Sequence, residues 1–368
     1  MENRVIIIGG GIIGISIGYF LAKNNCEVLI LEKSKAGREA SWSAAGMLRP
    51  QAEFEDAALL RLCLESIKSY PEFAKQLFDD TGVNINYKTE GTIIIAITDE
   101  QLRELHKRFE EQKILGLRAE WLSNKELLEL EPNAFRYVKG SVLIKGDHWA
   151  NNRLIVEALI KGVRKYKCVI MEDCLVESYI HEKNRIVGVK TSVGSFSGKY
   201  IINSAGSWAS HIKSDDAKLI PPIKPILGQL VEISTPDMLI THNICTYSSY
   251  LASKDKNSIL IGSTMEDVGF NKTVTVSGVS QLLKNAVELV PKISDCVFKD
   301  VWAGFRPTAP DKLPVLGRTS AEGLLMATGT YRNGILLAPI VGKLISEIIV
   351  RDSESELIEP FKIERFYR

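Results

Sequence analysis

Val5-Ile6-Ile7-Ile8-Gly9-Gly10-Gly11-Ile12-Ile13-Gly14 is the stretch from which the fold follows. Four apolar residues read as a buried strand, and Gly9-x-Gly11-x-x-Gly14 then turns the chain into a helix. Gly9 permits the tight turn, Gly11 lets backbone approach a pyrophosphate at the helix N-terminus, and Gly14 lets helix and strand pack closely. A second strand ends on Glu32, eighteen residues beyond Gly14, where a carboxylate is placed to hold ribose hydroxyls. A lone Gly-x-Gly-x-x-Gly also occurs in unrelated glycine-rich turns. Strand before, helix after and acid at this distance make it a dinucleotide-binding βαβ unit. Gly9, Gly11, Ile12, Ile13, Gly14, Glu32 and Lys33 are the expected nucleotide contacts here.

Composition bounds the rest. At 368 residues the chain exceeds one small core and suggests about two domains. Hydrophobic residues make up 45% and charged residues 25%, the balance of an ordinary soluble protein. With 46 basic and 45 acidic residues the net charge is +1, so no global field recruits nucleic acid or an anionic membrane. A small molecule is the expected partner. The N-terminus has no secretion-signal pattern, and no apolar run reaches the roughly eighteen residues of a membrane span. The six cysteines are scattered, without Cys-x-x-Cys or histidines at ligand spacing. Reduced thiols, a cytoplasmic location and no metal site are the expectation.

Residues 14–24 read as the first helix, with Gly14, Gly18 and Ala22 on the face toward the sheet. A helical pattern over 56–77 is broken near Pro71, and further helices are expected over 100–115, 125–130, 279–289 and 334–350. Asn152 is the expected cap of a helix running to 164. Strands are expected at 91–97, around Val169, and at 228–234, 250–253, 259–262 and 324–327. Residues 175–180, 186–191 and 194–202 read as a three-stranded meander that returns the chain to the nucleotide site through Ala205 and Gly206, with Val176 on its first strand. No repeat or low-complexity linker appears. The fold class is therefore α/β: a Rossmann-like FAD-binding domain of the glutathione-reductase type, interleaved with an α+β substrate domain built on an antiparallel sheet. Residues 1–85, 146–220 and 303–368 are assigned to the first domain, and 86–145 and 221–302 to the second.

Only one Gly-x-Gly-x-x-Gly is present, which argues for one dinucleotide and an outside electron donor or acceptor. An NAD-only dehydrogenase stays open but gives no role to the later small-residue segments; FAD does. Ser41-Trp42-Ser43-Ala44-Ala45-Gly46-Met47 would let backbone lie against an isoalloxazine ring, and Gly206-Ser207-Trp208 would close the nucleotide side. Arg332-Asn333-Gly334-Ile335-Leu336-Leu337-Ala338 opens a helix whose positive end can stabilise charge on a reduced flavin.

Four segments in order carry a resemblance: Gly9 to Gly14, Ser43-Ala44-Ala45-Gly46-Met47-Leu48, Trp302-Ala303-Gly304-Phe305-Arg306-Pro307, and Arg332 to Pro339. The chain resembles, nearly end to end, the glycine oxidases of bacterial thiamine biosynthesis, within the wider D-amino acid oxidase and sarcosine oxidase group. The resemblance implies non-covalent FAD, oxidation of glycine to an imine, and reoxidation by O2 to hydrogen peroxide. It also implies thiazole synthase as consumer of the imine, and a homotetramer. A sarcosine or N-substituted glycine oxidase is a rival, although the cysteine that tethers flavin in some of that group has no counterpart after Cys296. A quinone-linked D-amino acid dehydrogenase is another, and a flavin-fold scaffold without turnover a third.

A small amino acid needs its carboxylate fixed and its amine neutral, and Arg306 offers the planar, bidentate fork that lysine lacks. The resemblance makes Tyr250 a second donor to that carboxylate and places Arg332 near the amine, its backbone carbonyl accepting. Met265 and Met47 are expected on the apolar side of the pocket. No side-chain acid or base is required. Two residues depart from the family pattern: Arg49 stands where glycine is usual, and Ser248 where histidine is expected. Together they suit a longer, anionic N-substituted glycine such as a phosphonate; alternatively Arg49 faces solvent or pairs with Glu53.

Overall fold

The computed structural model describes residues 4–53, 55–246 and 248–367, and of Glu53 the backbone alone. One sheet has six strands in the order Val315–Arg318, Leu324–Thr328, Tyr200–Asn203, Val5–Ile8, Val28–Leu31, Val169–Met171. Neighbours are parallel except at the Val315–Arg318 edge. Both faces of its centre are covered, which is why Val5–Ile8 is buried throughout and reads as an unbroken apolar run.

The α-helices among the described residues are, in chain order, α1 (Ile12–Lys23), α2 (Ala40–Ser43), α3 (Ala57–Thr81), α4 (Asp99–Ile114), α5 (Asn124–Leu130), α6 (Asn152–Lys165), α7 (Val276–Leu289) and α8 (Gly334–Arg351). Helices α1, α3, α6 and α8 pack together into one apolar core. At Gly342 of α8 a Cβ would lie 2.5 Å from Ser16 Oγ and 2.7 Å from the Phe20 ring, so only glycine admits this approach of α8 to α1.

Two local expectations need correction. Helix α3 runs unbroken through Pro71, held by the Asp56 cap, by left-handed Gly82 at its end, and by an apolar face buried against α8 and α6. Tertiary burial here outweighs the breaking tendency of proline. The cap of α6 is Asn151, whose side chain accepts from Arg153 N and Leu154 N, while Asn152 reaches the Ser41 and Trp42 carbonyls at 2.7 and 3.1 Å.

The second sheet has eight strands, ordered Val297–Thr308, Lys224–Ser234, Ser258–Gly262, Tyr250–Asp255, Asn243–Cys245, Thr92–Ala96, Gly140–Ile144, Ala119–Leu122. It is antiparallel except where Asn243–Cys245 meets Thr92–Ala96, a parallel pair joined through a long crossover. The meander comprises Val176–Glu182, Arg185–Thr191 and Gly194–Ser197. Its expected third strand is in fact two, because Tyr200–Asn203 leaves the meander to pair with Val5–Ile8. Among the described residues no helix is long and apolar enough to cross a membrane.

Candidate active site

A cavity of about 1410 Å³ lies where the C-terminal ends of Val5–Ile8 and Val28–Leu31 face the second sheet. That volume exceeds a typical small-ligand pocket and suits a dinucleotide together with a small substrate.

At its nucleotide end, Gly9 adopts φ +100°, and a Cβ there would lie 2.5 Å from the Ser204 carbonyl oxygen. Glu32 is buried, with Oε2 accepting from Gly10 N at 2.7 Å and Oε1 from Ser34 N at 2.9 Å. The carboxylate is thereby fixed, and each oxygen keeps acceptor capacity for a ribose hydroxyl. Ser41 Oγ accepts from Ile12 N at 2.8 Å. Lys33 sits 3.8 Å above the Trp208 ring and also reaches Glu39.

Two helix N-termini open on this cavity, those of α1 and α8. Neither N-cap residue bonds its helix through its own side chain and neither first turn holds an acidic residue, although at α1 the Ser41 hydroxyl takes the Ile12 amide. The amides left at these two positive ends are the donor set a pyrophosphate and an electron-rich flavin require, so the residues fit FAD.

The 41–47 loop is anchored by two tryptophans, one on the second sheet and one on the short strand His148–Trp149 that pairs with Met47–Leu48. Trp149 Nε1 donates to Ala45 O at 2.7 Å and Trp302 Nε1 to Ser43 O at 3.0 Å. At Gly304 a Cβ would lie 2.5 Å from that of Ser43, so the loop rests directly on the strand bearing Arg306.

Arg306 points across its neighbouring strand over Gly228, where a Cβ would lie 2.6 Å from the guanidinium carbon. Its Nη1 donates to Leu227 O at 3.2 Å and its Nη2 to Ser263 Oγ at 2.6 Å. No carboxylate among the described residues pairs with it. Burial consequently draws its pKa below the ordinary arginine value, with only Tyr250 and Tyr331 acting the other way. Tyr250 packs over Gly262, where a Cβ would strike its ring, and its hydroxyl bonds Ser263. Burial pushes that phenol up to about 12, against the nearby Arg306 charge, so it stays a neutral donor.

Most of the expected site residues line this one cavity: Gly9, Gly11, Ile12, Ile13, Glu32, Lys33, Ser41, Ser43, Ala44, Ala45, Gly46, Met47, Val176, Ala205, Gly206, Trp208, Asn333, Gly334 and Ile335, with Arg49, Ser248, Tyr250, Met265, Arg306 and Arg332. Gly14 and Leu336 do not. Gly14 instead lies beneath the turn, where a Cβ would lie 2.6 Å from Ser204 Oγ, as expected of a packing glycine. Leu336 has its side chain buried in the helical core, which leaves only its backbone amide toward the α8 N-terminus. Met265 is 63% exposed, so it stands at the mouth and not on a dry wall; its sulfur accepts from Tyr331 Oη at 3.4 Å. Arg332 and Ser248 are also exposed.

Arg49 lines the cavity and is held by an ion pair. Its Nε donates at 3.0 Å to Oδ2 of Asp147, a fully buried residue, while the Glu53 side chain lies outside the described residues. Sequence reasoning also passes over Ser263 and Tyr331. Ser263 follows a strand end and looks like any turn serine; only the cross-strand register brings it between Arg306 and Tyr250.

Residues 4–348 match the family described as FAD dependent oxidoreductase. A glycine oxidase of Geobacillus kaustophilus is 32% identical, over 98% of this chain and 96% of that protein. The chain belongs to this family, among its glycine oxidases. The crystal structure of glycine oxidase from G. kaustophilus superposes with a TM-score of 0.92, covering 99% of each chain. A protein named bifunctional ThiO/ThiG in Trichormus variabilis is 33% identical over all of this chain, which spans 56% of its length.

Proposed function

We propose that this chain oxidises glycine, and with it other small primary or secondary amines and D-amino acids, through an imine. Per turnover, glycine, O2 and water become glyoxylate, ammonia and hydrogen peroxide. FAD, when bound, would supply the two-electron acceptor for the hydride from Cα, with O2 as the final oxidant.

The observation that carries this reading is Arg306, charged, partly buried and without an acidic partner among the described residues. A substrate carboxylate would complete it, with the Tyr250 hydroxyl as a further donor. Gly228 and Gly262 bring both side chains flat against the sheet, leaving the space above them to the substrate. In this reading the backbone carbonyl of Arg332 accepts from the amine. No acid–base residue is assigned, since positioning and charge stabilisation suffice for hydride transfer from a neutral amine. In this reading residues 1–85, 146–220 and 303–368 hold the cofactor without a covalent bond, and 86–145 and 221–302 carry the substrate.

Arg49 supports a second substrate class. Held by Asp147 at the cavity wall, its cation suits an N-substituted glycine whose substituent is acidic, such as a phosphonate. The pairing of ThiO with ThiG in the name of the bifunctional relatives supports delivery of the imine to thiazole synthase. A cytoplasmic homotetramer completes the proposal.

The test is to mix the protein with glycine without oxygen, follow the flavin absorbance, then admit air and measure peroxide. Bleaching followed by reoxidation with peroxide is expected. A yellow protein that glycine does not bleach would overturn the substrate assignment, and bleaching without peroxide in air would favour a quinone-linked dehydrogenase.

A further inference from the structure

Helix α8 contains Pro339, which has no N–H to give to the carbonyl of Ile335 one turn earlier. That carbonyl is nonetheless satisfied, from outside the helix. Tyr70 of α3, wholly buried, donates its hydroxyl to Ile335 O at 2.5 Å. The next carbonyl along, Leu336 O, accepts from Ser66 Oγ at 2.5 Å, and Ala338 O accepts from Ser16 Oγ at 2.7 Å. Three hydroxyls from two neighbouring helices thus serve the first turns of α8.

The Ile335 carbonyl and the Leu336 N–H belong to one peptide group. The Leu336 N–H is among the first amides of α8, which have no acceptor within the helix and point out of its N-terminus. Gly334 and Ile335 at that N-terminus line the cavity. A donor on the carbonyl of a peptide polarises it and strengthens the N–H at its other end. Tyr70 is rigidly placed for this, stacked on Tyr87 at 5.7 Å and edge-on to Phe73 at 5.8 Å. Its burial keeps the phenol protonated and hence a permanent donor.

We propose that Tyr70 is a positioning residue that strengthens the Leu336 amide at the N-terminus of α8, so that the protein holds reduced FAD more tightly than it otherwise would. Reduction by two electrons and one proton leaves a net negative charge on the ring, and the α8 N-terminus is where that charge is met. Pro339 is part of the device, because it leaves the Ile335 carbonyl to an outside donor. The inference rests on FAD as the cofactor, not on which amine is oxidised.

The experiment measures dissociation constants for oxidised and for reduced FAD separately, by flavin fluorescence and by reductive titration of the reconstituted protein. In Tyr70→Phe the ratio of reduced to oxidised constants should rise roughly threefold or more, as loss of one hydrogen bond implies. The midpoint potential should fall accordingly. Ser66→Ala, which frees only the carbonyl of the peptide whose N–H, that of Leu337, is already bonded to Asn333 O, should leave the ratio unchanged. In the double variant Tyr70→Phe with Pro339→Ala, a backbone N–H returns to the Ile335 carbonyl, and the ratio should move back toward wild type. An unchanged ratio in Tyr70→Phe, an equal shift in Ser66→Ala, or no recovery in the double variant would overturn the inference while leaving the family reading intact. A wild-type protein that takes up no FAD would overturn both.

Discussion

Ser263 Oγ accepts from Arg306 Nη2 at 2.6 Å and also bonds the Tyr250 hydroxyl, so one serine couples the two candidate carboxylate donors. If Ser263 gives its proton to Tyr250 Oη, the tyrosine proton is left for the substrate. Arg306→Ala should raise the apparent Michaelis constant for glycine by roughly tenfold or more with flavin content unchanged. Ser263→Ala should raise it by only about threefold, since the fork survives and only its alignment loosens. Steady-state kinetics on flavin-replete protein decides both; equal effects would mean that Ser263 itself holds substrate.

Glu32 fixes two backbone amides as well as facing the cavity. Replacing it with alanine leaves Gly10 N and Ser34 N without the carboxylate they now bond. The apoprotein should lose about 2 kcal/mol of stability, and FAD affinity should fall as well. Glu32→Gln should retain part of both. Urea unfolding of apoprotein separates the structural loss from the cofactor loss.

Arg49→Gly removes the ion-pair partner of Asp147, whose carboxyl burial already raises above the usual carboxylate range despite Arg49. The substitution should cost about 2 kcal/mol, below the figure for fully buried pairs because Arg49 is partly exposed. Asp147→Asn beside it should recover much of that loss, which thermal unfolding of the single and double variants measures. If Arg49 also recognises an acidic N-substituent, the specificity constant for a phosphonate-bearing glycine should drop in Arg49→Gly while that for glycine holds.

Asp80 predicts an acid limb of stability. Its carboxyl is partly desolvated, which alone would raise its pKa. Hydrogen bonds from Tyr19, Tyr166 and Lys165, with the Lys23 charge, outweigh that and hold it well below the usual range. A depressed folded pKa contributes stability that is full above the unfolded value near 4 and is lost as pH falls further. With solvent screening the contribution is about 1 kcal/mol. Asp80→Asn should flatten the fall in melting temperature between about pH 5 and pH 3.

What was legible in advance was local. The Gly9 to Gly14 turn announces itself because each glycine answers a steric demand within a few residues of chain, and Glu32 follows by spacing alone. Arg306 stood out through its chemistry. Gly228 and Gly262 did not, because their role exists only once Ile226 is registered against Arg306 and Tyr250 against Gly262. Asp147 was invisible as the partner of Arg49, being nearly a hundred residues distant in the chain. Pro71 misled because proline reports a local preference, and the buried face of α3 answers to α8, far away in sequence.

The order of strands in the first sheet also sets a schedule for assembly. Val5–Ile8 leaves the ribosome well before its neighbour Tyr200–Asn203, and that strand in turn waits for Leu324–Thr328. Helix α8, which presses on α1 through Gly342, comes later still. The glycine turn is therefore made long before most of its walls and waits for residues as far on as α8. Contacts so distant in sequence are slow to form and leave apolar strands exposed in the meantime. A growing chain released short of Gly334 lacks one of the two helix ends that open on the cavity, so full cofactor capture follows the arrival of α8.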